Sequence, residues 1–315
     1  MTSLSAPFTV LNGPAPLPPP LARPVLAIGN FDGVHRGHRA VFAAAMSLAD
    51  EAGVKAVALT FEPHPRAFFN PQGAPFRLTP PRRKLEQIAR SGLAGAVVLP
   101  FDAPLAAMDA ETFVHEVLVA RYQVTGVAVG FDFHFGRARA GSPAFLVDAG
   151  RRHGFKVTVV DPARDEGDAI SSTAIRTALA AGQVGHAAHM LGRPFAITGT
   201  VQHGEKRGRT LGFPTANVAL DDPMELAFGI YAVRAITAGG RIDGVASYGR
   251  RPTFDNGAAL LEVHLFDFSG DLYGQPLEVE FHAYLRPELK FSGVEALVAQ
   301  MHEDSRRARA VLADS

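Results

Sequence analysis

The chain has 315 residues, 47% hydrophobic and 20% charged, a balance that suits a globular protein with two cores rather than one. Lys plus Arg equals Asp plus Glu at 31 each, so no bulk field favours nucleic acid or an anionic membrane. There is no cysteine, which excludes disulfides, thiolate zinc sites and cysteine nucleophiles, and no apolar run approaches the ~18 residues of a membrane span.

The N-terminus shows no basic stretch followed by an apolar core, so a cytoplasmic protein is expected. Residues 12–24, NGPAPLPPPLARP, hold six prolines and no apolar periodicity. Residues 1–24 are therefore expected to be a flexible or semi-rigid leader, with order beginning at Val25. From there to about Gly182 the short runs VLAIG (25–29), VKAVALTF (54–61), GAVVLPF (95–101), GVAVG (126–130) and FKVTVV (155–160) read as strands. Between them lie amphipathic stretches at 38–52, 81–91, 110–121 and 143–153, with Asp109 and Ser142 at N-cap positions and Gly53 and Gly154 at C-cap positions. Unbroken apolar strands alternating with helices predict an α/β domain with a parallel sheet, Rossmann-like, over 25–186. After a helical connector at 184–191 the texture changes. Runs such as FAITGTVQHG, GIYAVRAI, GVASYG, LLEVHLF and LEVEFHAYL, separated by turn signals, predict an antiparallel barrel or sandwich over 187–315, closed by a helix near 294–312.

GNFDGVHRGH (29–38) follows the strand VLAI and opens a helix. Gly29, Gly33 and Gly37 permit a tight backbone beside a ligand, and a helix N-terminus there offers N–H groups and a positive dipole end to an anion. His35 and His38, three apart, project to one side and can hydrogen-bond phosphate oxygens as charge builds in a transition state. A surface turn, or metal ligation by His35, His38 and Asp32, are the alternatives for so short a segment. In ISSTAIR (170–176), Ser171 or Ser172 would cap a helix whose first turn, with Thr173 and Arg176, forms a second anion clamp; a plainly capped helix is the alternative. His64 of FEPHP (61–65) stands between prolines in a stiff loop, or is simply an exposed turn histidine.

In the second domain, HGEKRGRTLGFPTANV (203–218) sets Gly204, Gly208 and Gly212 among Lys206, Arg207 and Arg209, a basic loop suited to phosphates that is not a Walker A motif. Thr215 and Asn217 offer two hard oxygens on one side of an extended segment, which suits Mg²⁺ held jointly with ATP phosphates. Glu262, flanked by Leu261 and Val263, is a candidate general base or a solvent-facing strand residue.

The decapeptide resembles the HxGH nucleotidyltransferases. Together with FEPHP, RLTP (77–80), VGFDFHFGRARAG (129–141) and ISSTAIR it is similar to the adenylyltransferase module of the bifunctional riboflavin kinase/FAD synthetases. GRTLGFPTAN, GIYAV (229–233), RPTF (251–254), LEVHLFDFSGDLYG and LRPELKF (285–291) resemble riboflavin kinase, so the likeness covers about 25–305. The resemblance implies that ATP, riboflavin, FMN and FAD are the small-molecule partners, with Mg²⁺ accompanying ATP and flavins as substrate and product. No nucleic-acid or membrane partner is expected, and self-association only in weak form. It places the nucleotide at Gly29, Asn30, Phe31, Asp32, Gly33, His64, Asp132, Ser171, Ser172, Thr173 and Arg176 in the first domain, and at Gly204, Lys206, Gly208 and Arg209 in the second. It implies flavin contacts at Phe133, Arg286 and Phe291, metal ligation by Thr215 and Asn217, and catalytic roles for His35, His38 and Glu262. Two departures stand out. The family usually has an acidic or polar residue where this chain has Phe131, and commonly Asn-Ile-Gly-Thr where it has Ser247 to Arg250. The rival readings are an enzyme with one active half and a flavin-binding sensor without turnover.

Overall fold

A computed structural model describes residues 8–165, 167–204, 208, 211–220, 224–237, 239–250 and 259–313. The chain divides into two compact units, Met1–Ser172 and Thr173–Ser315.

In the first unit six strands form one all-parallel sheet: β1 (Thr9–Asn12), β2 (Val25–Ile28), β3 (Ala56–Glu62), β4 (Gly95–Pro100), β5 (Gly126–Gly130) and β6 (Lys156–Val160), in the order β1-β4-β3-β2-β5-β6. The two-residue period of a strand explains why these segments are apolar throughout. In β2, Leu26 and Ile28 enter one core cluster and Val25 and Ala27 the other; in β3, Val57, Leu59 and Phe61 face Ala56 and Ala58 in the same way. One cluster is closed by Ala110–Thr112 and its π-helical continuation Phe113–Arg121 (together α5) and by α6 (Pro143–His153), the other by α1 (Arg36–Ala52). The shorter helices α2 (Pro65–Phe69), α3 (Pro81–Ala89) and α4 (Ala103–Ala107) lie in the connections, and beyond β6 a small antiparallel pair forms, β7 (Arg164–Asp165) with β8 (Asp168–Ala169). Asp109 and Ser142 accept hydrogen bonds from the Thr112 and Phe145 amides, and Gly53 and Gly154 close their helices at φ 67° and 78°, so the expected caps are present.

The expected leader needs correction. Order begins before Val25: Thr9–Asn12 pairs in parallel with residues 95–98 of β4, Phe8 and Leu11 pack on opposite cores, and Leu21 is buried. Four residues are too few for a period to be read, and a proline-rich stretch still leaves room for an edge strand before it.

The second unit takes the rest of the chain, beginning fourteen residues before the boundary expected at 186/187. Its helices α7 (Ser172–Ala180) and α8 (Val184–Leu191) precede a closed antiparallel barrel, in the order β10-β13-β12-β11-β14-β9. The strands are β9 (Phe195–Gln202), β10 (Ala216–Ala219), β11 (Gly229–Thr237), β12 (Gly240–Arg250), β13 (Ala259–Leu265) and β14 (Pro276–Arg286). Alternation puts Tyr231, Tyr248, Leu261, Val263, Leu277, Val279 and Phe281 inside at 0% exposure. The terminal helix α9 (Val294–Ala313) lays Ala308 and Leu312 on Ala232, Phe266 and Leu285 outside the barrel.

Candidate active sites

The strand order reverses between β2 and β5, and in open parallel sheets ligands bind beyond the carboxyl ends of strands at such a point. Both loops that leave these ends were singled out in the sequence. The loop after β2 carries Phe31, Gly33 and Val34 at φ 52°, 88° and 43°. A positive φ is uncommon for a non-glycine and costs about 1–3 kcal/mol, most of all at a β-branched valine, so the surroundings must hold the loop. They do so from several sides. The Asp32 carboxylate accepts the Leu78 and Thr79 N–H groups at 3.2 and 3.1 Å, Ser172 Oγ donates to the Asp32 carbonyl at 2.9 Å, and the Phe31 ring packs edge-on against Phe42 and His38.

His35 caps α1: its Nδ1 accepts the His38 N–H at 3.3 Å, which leaves Nε2 to carry the proton in the neutral ring. The two imidazoles stack with centroids 3.5 Å apart and planes 19° apart. The glycine of H-x-G-H makes this stack fit, because a Cβ at Gly37 would lie only 3.1 Å from the His35 ring. Two imidazoles at the positive end of a seventeen-residue helix form a donor surface for an anion. A metal site of His35, His38 and Asp32 finds no support, since no cluster of three such side chains suited to a metal occurs among the described residues.

One buried charge beside this loop escaped the sequence reading. Lys84 of α3, with its side chain 5% exposed, places Nζ 2.6 Å from Glu62 Oε1, 3.2 Å from Thr60 Oγ1, 3.3 Å from the Asn30 carbonyl and 3.4 Å from the Phe61 carbonyl. Arg77 bridges the other oxygen of Glu62 at 2.8 Å. Burial pulls the Lys84 ammonium below the ordinary lysine value, and the Glu62 carboxylate opposes that shift. In the sequence Lys84 sits in PRRKLEQ, which reads as a solvated charge run; only its place between FEPHP and the next strand could have drawn notice.

The remaining expected residues of this unit are spread around the strand ends. His64 caps α2, accepting the Arg66 N–H at Nδ1. After β5, Asp132 is exposed and Phe131 is 48% exposed, whereas Phe133 is half-buried and stacks on Phe135 at 5.5 Å. The aromatic surface of this loop is therefore Phe131 more than Phe133. Thr173 and Arg176 belong to the second unit.

On the barrel, cross-strand register assembles the second site. Asn217 pairs with Gln202 on β9 and Glu262 on β13, and Glu262 pairs with Ser247 on β12, so the four residues form one row. Directly opposed residues share a face, and since Leu261 and Val263 point inward this face is the outer one. Among the described residues, Asn217 Oδ1 is buried with no hydrogen-bond partner, so it can accept from a cation or donor. Gly204 lies against the same amide: a Cβ there would stand 2.0 Å from Asn217 Nδ2. Gly208 approaches Thr215, whose hydroxyl would be 3.5 Å from a Cβ at 208. Lys206 and Arg209, with RPTF, lie outside the described residues. Arg286, expected at the flavin, commits its guanidinium to the buried Asp304 of α9 at 2.6 and 2.8 Å and to the Pro287 carbonyl; it also lies 5.9 Å from the Phe291 ring.

Comparison with known proteins follows the same division. The FAD synthetase family model matches residues 18–174 and the riboflavin kinase model residues 191–312. A bifunctional riboflavin kinase/FMN adenylyltransferase of Pseudomonas fluorescens is 44% identical over 92% of this chain and 94% of its own length. The chain belongs to the bifunctional riboflavin kinase/FMN adenylyltransferase family. Family members from Escherichia coli K12 and Bacillus subtilis 168 are 41% and 36% identical, over 90% and 91% of this chain and 91% and 92% of theirs. A crystal structure from Streptococcus pneumoniae, described as a macrolide-efflux protein, is 30% identical and superposes with a TM-score of 0.86 over 96% of this chain and 99% of that one. Among the described residues of this family member, no helix is long and apolar enough to cross a membrane.

Proposed function

We propose that this chain makes FAD in two steps, each on its own unit: the barrel phosphorylates riboflavin to FMN, and the parallel-sheet unit adenylylates FMN to FAD. The observation that carries the reading is the pairing, on one chain, of a stacked His35–His38 pair at a helix N-terminus with a barrel row joining Asn217 to Glu262.

In the first step the ribityl 5′-hydroxyl attacks the γ-phosphorus of ATP; its proton passes to a Glu262 carboxylate oxygen as the oxygen–phosphorus bond forms, and ADP leaves. The orphaned Asn217 Oδ1 and the Thr215 hydroxyl fit a hard cation and would hold Mg²⁺ with the ATP phosphates. Bound there, the ion would neutralise charge on the phosphates. Gly204 and Gly208 let backbone lie against these ligands, while Lys206 and Arg209 supply positive charge to the same phosphates. Arg286 and Phe291 shape the flavin side, Arg286 through its hold on Asp304.

In the second step an FMN phosphate oxygen attacks the α-phosphorus of ATP and pyrophosphate leaves. No general base is required, because a phosphate monoester is already mostly dianionic near neutral pH. His35 Nε2–H, His38 and the amides that open α1 would neutralise charge in the transition state. Gly29, Asn30, Phe31, Asp32 and Gly33 would shape the nucleotide cradle, with His64 and Asp132 at its margin. Ser171 and Ser172 would hold the departing pyrophosphate. Phe131 and Phe133 offer the flavin an aromatic surface. A cytoplasmic location belongs to the same proposal.

The test is incubation of the purified protein with riboflavin, Mg²⁺ and ATP, following FMN and FAD by chromatography. Glu262→Gln should abolish FMN formation and spare FAD formation from supplied FMN, and His38→Ala should do the reverse. Equal damage to both steps by either substitution would refute the two-site assignment.

A further inference from the structure

Lys84 is an expensive side chain to bury. A buried ion pair contributes little net stability, and an apolar side chain of similar volume often does as well or better. Its presence therefore asks for a role that an apolar residue cannot fill. The Asn30 carbonyl supplies one, since it takes one hydrogen bond from β3 and one from α3: Thr60 Oγ1 donates at 3.1 Å and Lys84 Nζ at 3.3 Å, while Lys84 also donates to Thr60 Oγ1. The Asn30–Phe31 peptide opens the strained part of the loop, where Phe31 has φ 52°. A trans peptide is planar, so drawing its carbonyl toward Lys84 turns the Phe31 N–H to the opposite side. Glu62, fixed by Arg77 at 2.8 Å, anchors the ammonium at 2.6 Å.

We infer that Lys84 is a positioning residue for FMN adenylylation, holding the Asn30 carbonyl inward so that the Phe31 N–H stands ready for an ATP phosphate oxygen. This rests on the proposed adenylyltransferase reading. Lys84, its side chain 5% exposed, is enclosed by Glu62, Thr60 and the Asn30 and Phe61 carbonyls. It acts through Asn30, and its loss loosens the Asn30–Phe31 peptide, whose N–H must be in place before charge develops.

The experiment uses the full-length protein, with FMN, Mg²⁺ and ATP for one assay and riboflavin with ATP for the other. Lys84→Met should lower kcat for FAD formation roughly 10- to 100-fold, with a smaller change in the KM for ATP and the kinase rate kept within about twofold. A purely structural role would consist of neutralising Glu62, and the double variant Lys84→Met/Glu62→Gln separates the two. It should stay as slow as Lys84→Met, and recovery of kcat would overturn the inference. If Lys84→Met does not fold, Thr60→Val decides: it removes one donor to Asn30 and leaves the Glu62 ion pairs intact. Its kcat should fall about 3- to 10-fold, and an unchanged kcat would overturn the inference. Wild-type protein that makes no FAD from FMN would overturn the adenylyltransferase reading itself; active wild type with an unaffected, folded Lys84→Met would overturn only the role of Lys84.

Discussion

Replacing Gly204 by alanine perturbs the proposed kinase site through a single contact. Gly204 lies outside the left-handed region, so alanine suits its backbone and the only penalty is steric. The new Cβ would stand 2.0 Å from Asn217 Nδ2, 2.7 Å from Cγ and 3.0 Å from Oδ1. Since relaxed non-bonded contacts lie near 3.5 Å, the amide must retreat by about 1.5 Å. Asn217 is 9% exposed and stands in register between Gln202 and Glu262, so this retreat displaces the orphaned Oδ1 relative to the Glu262 carboxylate. Misplacing a reacting or ligating group by ~1 Å costs on the order of 100-fold in rate. Riboflavin phosphorylation should therefore slow by about 100-fold, whereas overpacking near a loop should cost only ~1–3 kcal/mol of stability. FAD formation from supplied FMN should be untouched. The assay is single-turnover FMN formation, with a denaturant melt of the same preparation. A folded Gly204→Ala protein with a kinase rate within about threefold of wild type would refute the argument, because the Asn217 amide would then not be needed where it stands.

The other predictions concern stability. Arg286→Met leaves Asp304, 3% exposed, without its cation, so denaturant unfolding of the barrel unit should lose about 3–5 kcal/mol; a loss under about 1 kcal/mol would show that Gln300, which also donates to Asp304, suffices. Tyr122 is 2% exposed and burial pushes its phenol up to about 12 from 10, so the fold favours the neutral ring. Its contribution is complete below the unfolded value near 10 and is lost as pH rises through about 12. Burial raises Tyr231 and Tyr248 in the same direction. The denaturation midpoint should therefore fall on going above pH 10, less steeply in Tyr122→Phe, and an identical slope in the variant would exclude Tyr122 as a source.

What the sequence disclosed, and what it hid, depended on how each feature is built. β2 to β6 were legible because a parallel strand covered on both faces is apolar at every position, as Leu26 and Ala27 illustrate by entering different cores. The caps at Asp109 and Ser142 were legible because capping is local. β1 was hidden by its brevity, and Lys84 by its charge, since a residue becomes buried through partners on other elements, here Glu62 and Thr60, twenty or more positions away. Arg286 shows the same limit from the other direction. Its place in the LRPELKF motif pointed to flavin, and its partner Asp304 lies on a helix whose docking no local pattern reveals.

The two proposed sites differ in a way that bears on the departures from the family pattern. The barrel row is fixed by ladder register, so a change at one member falls beside its neighbour: Ser247, which stands where the family commonly has asparagine, is directly opposite Glu262. Tyr248, the next residue, points the other way, into the barrel, where its hydroxyl donates to the Met224 carbonyl at 3.0 Å. Of these two substitutions only Ser247 can alter the surroundings of the proposed base directly, while Tyr248 acts on packing. The first site has no such ladder at its centre. Its geometry is a strained loop held by Asp32, Lys84 and Ser172, and the exposed Phe131 belongs to a different loop that enters none of these contacts. On the proposed reading, Phe131 would change what the flavin meets without disturbing the groups proposed to face the phosphates, which separates substrate fit from phosphate chemistry in that half of the molecule.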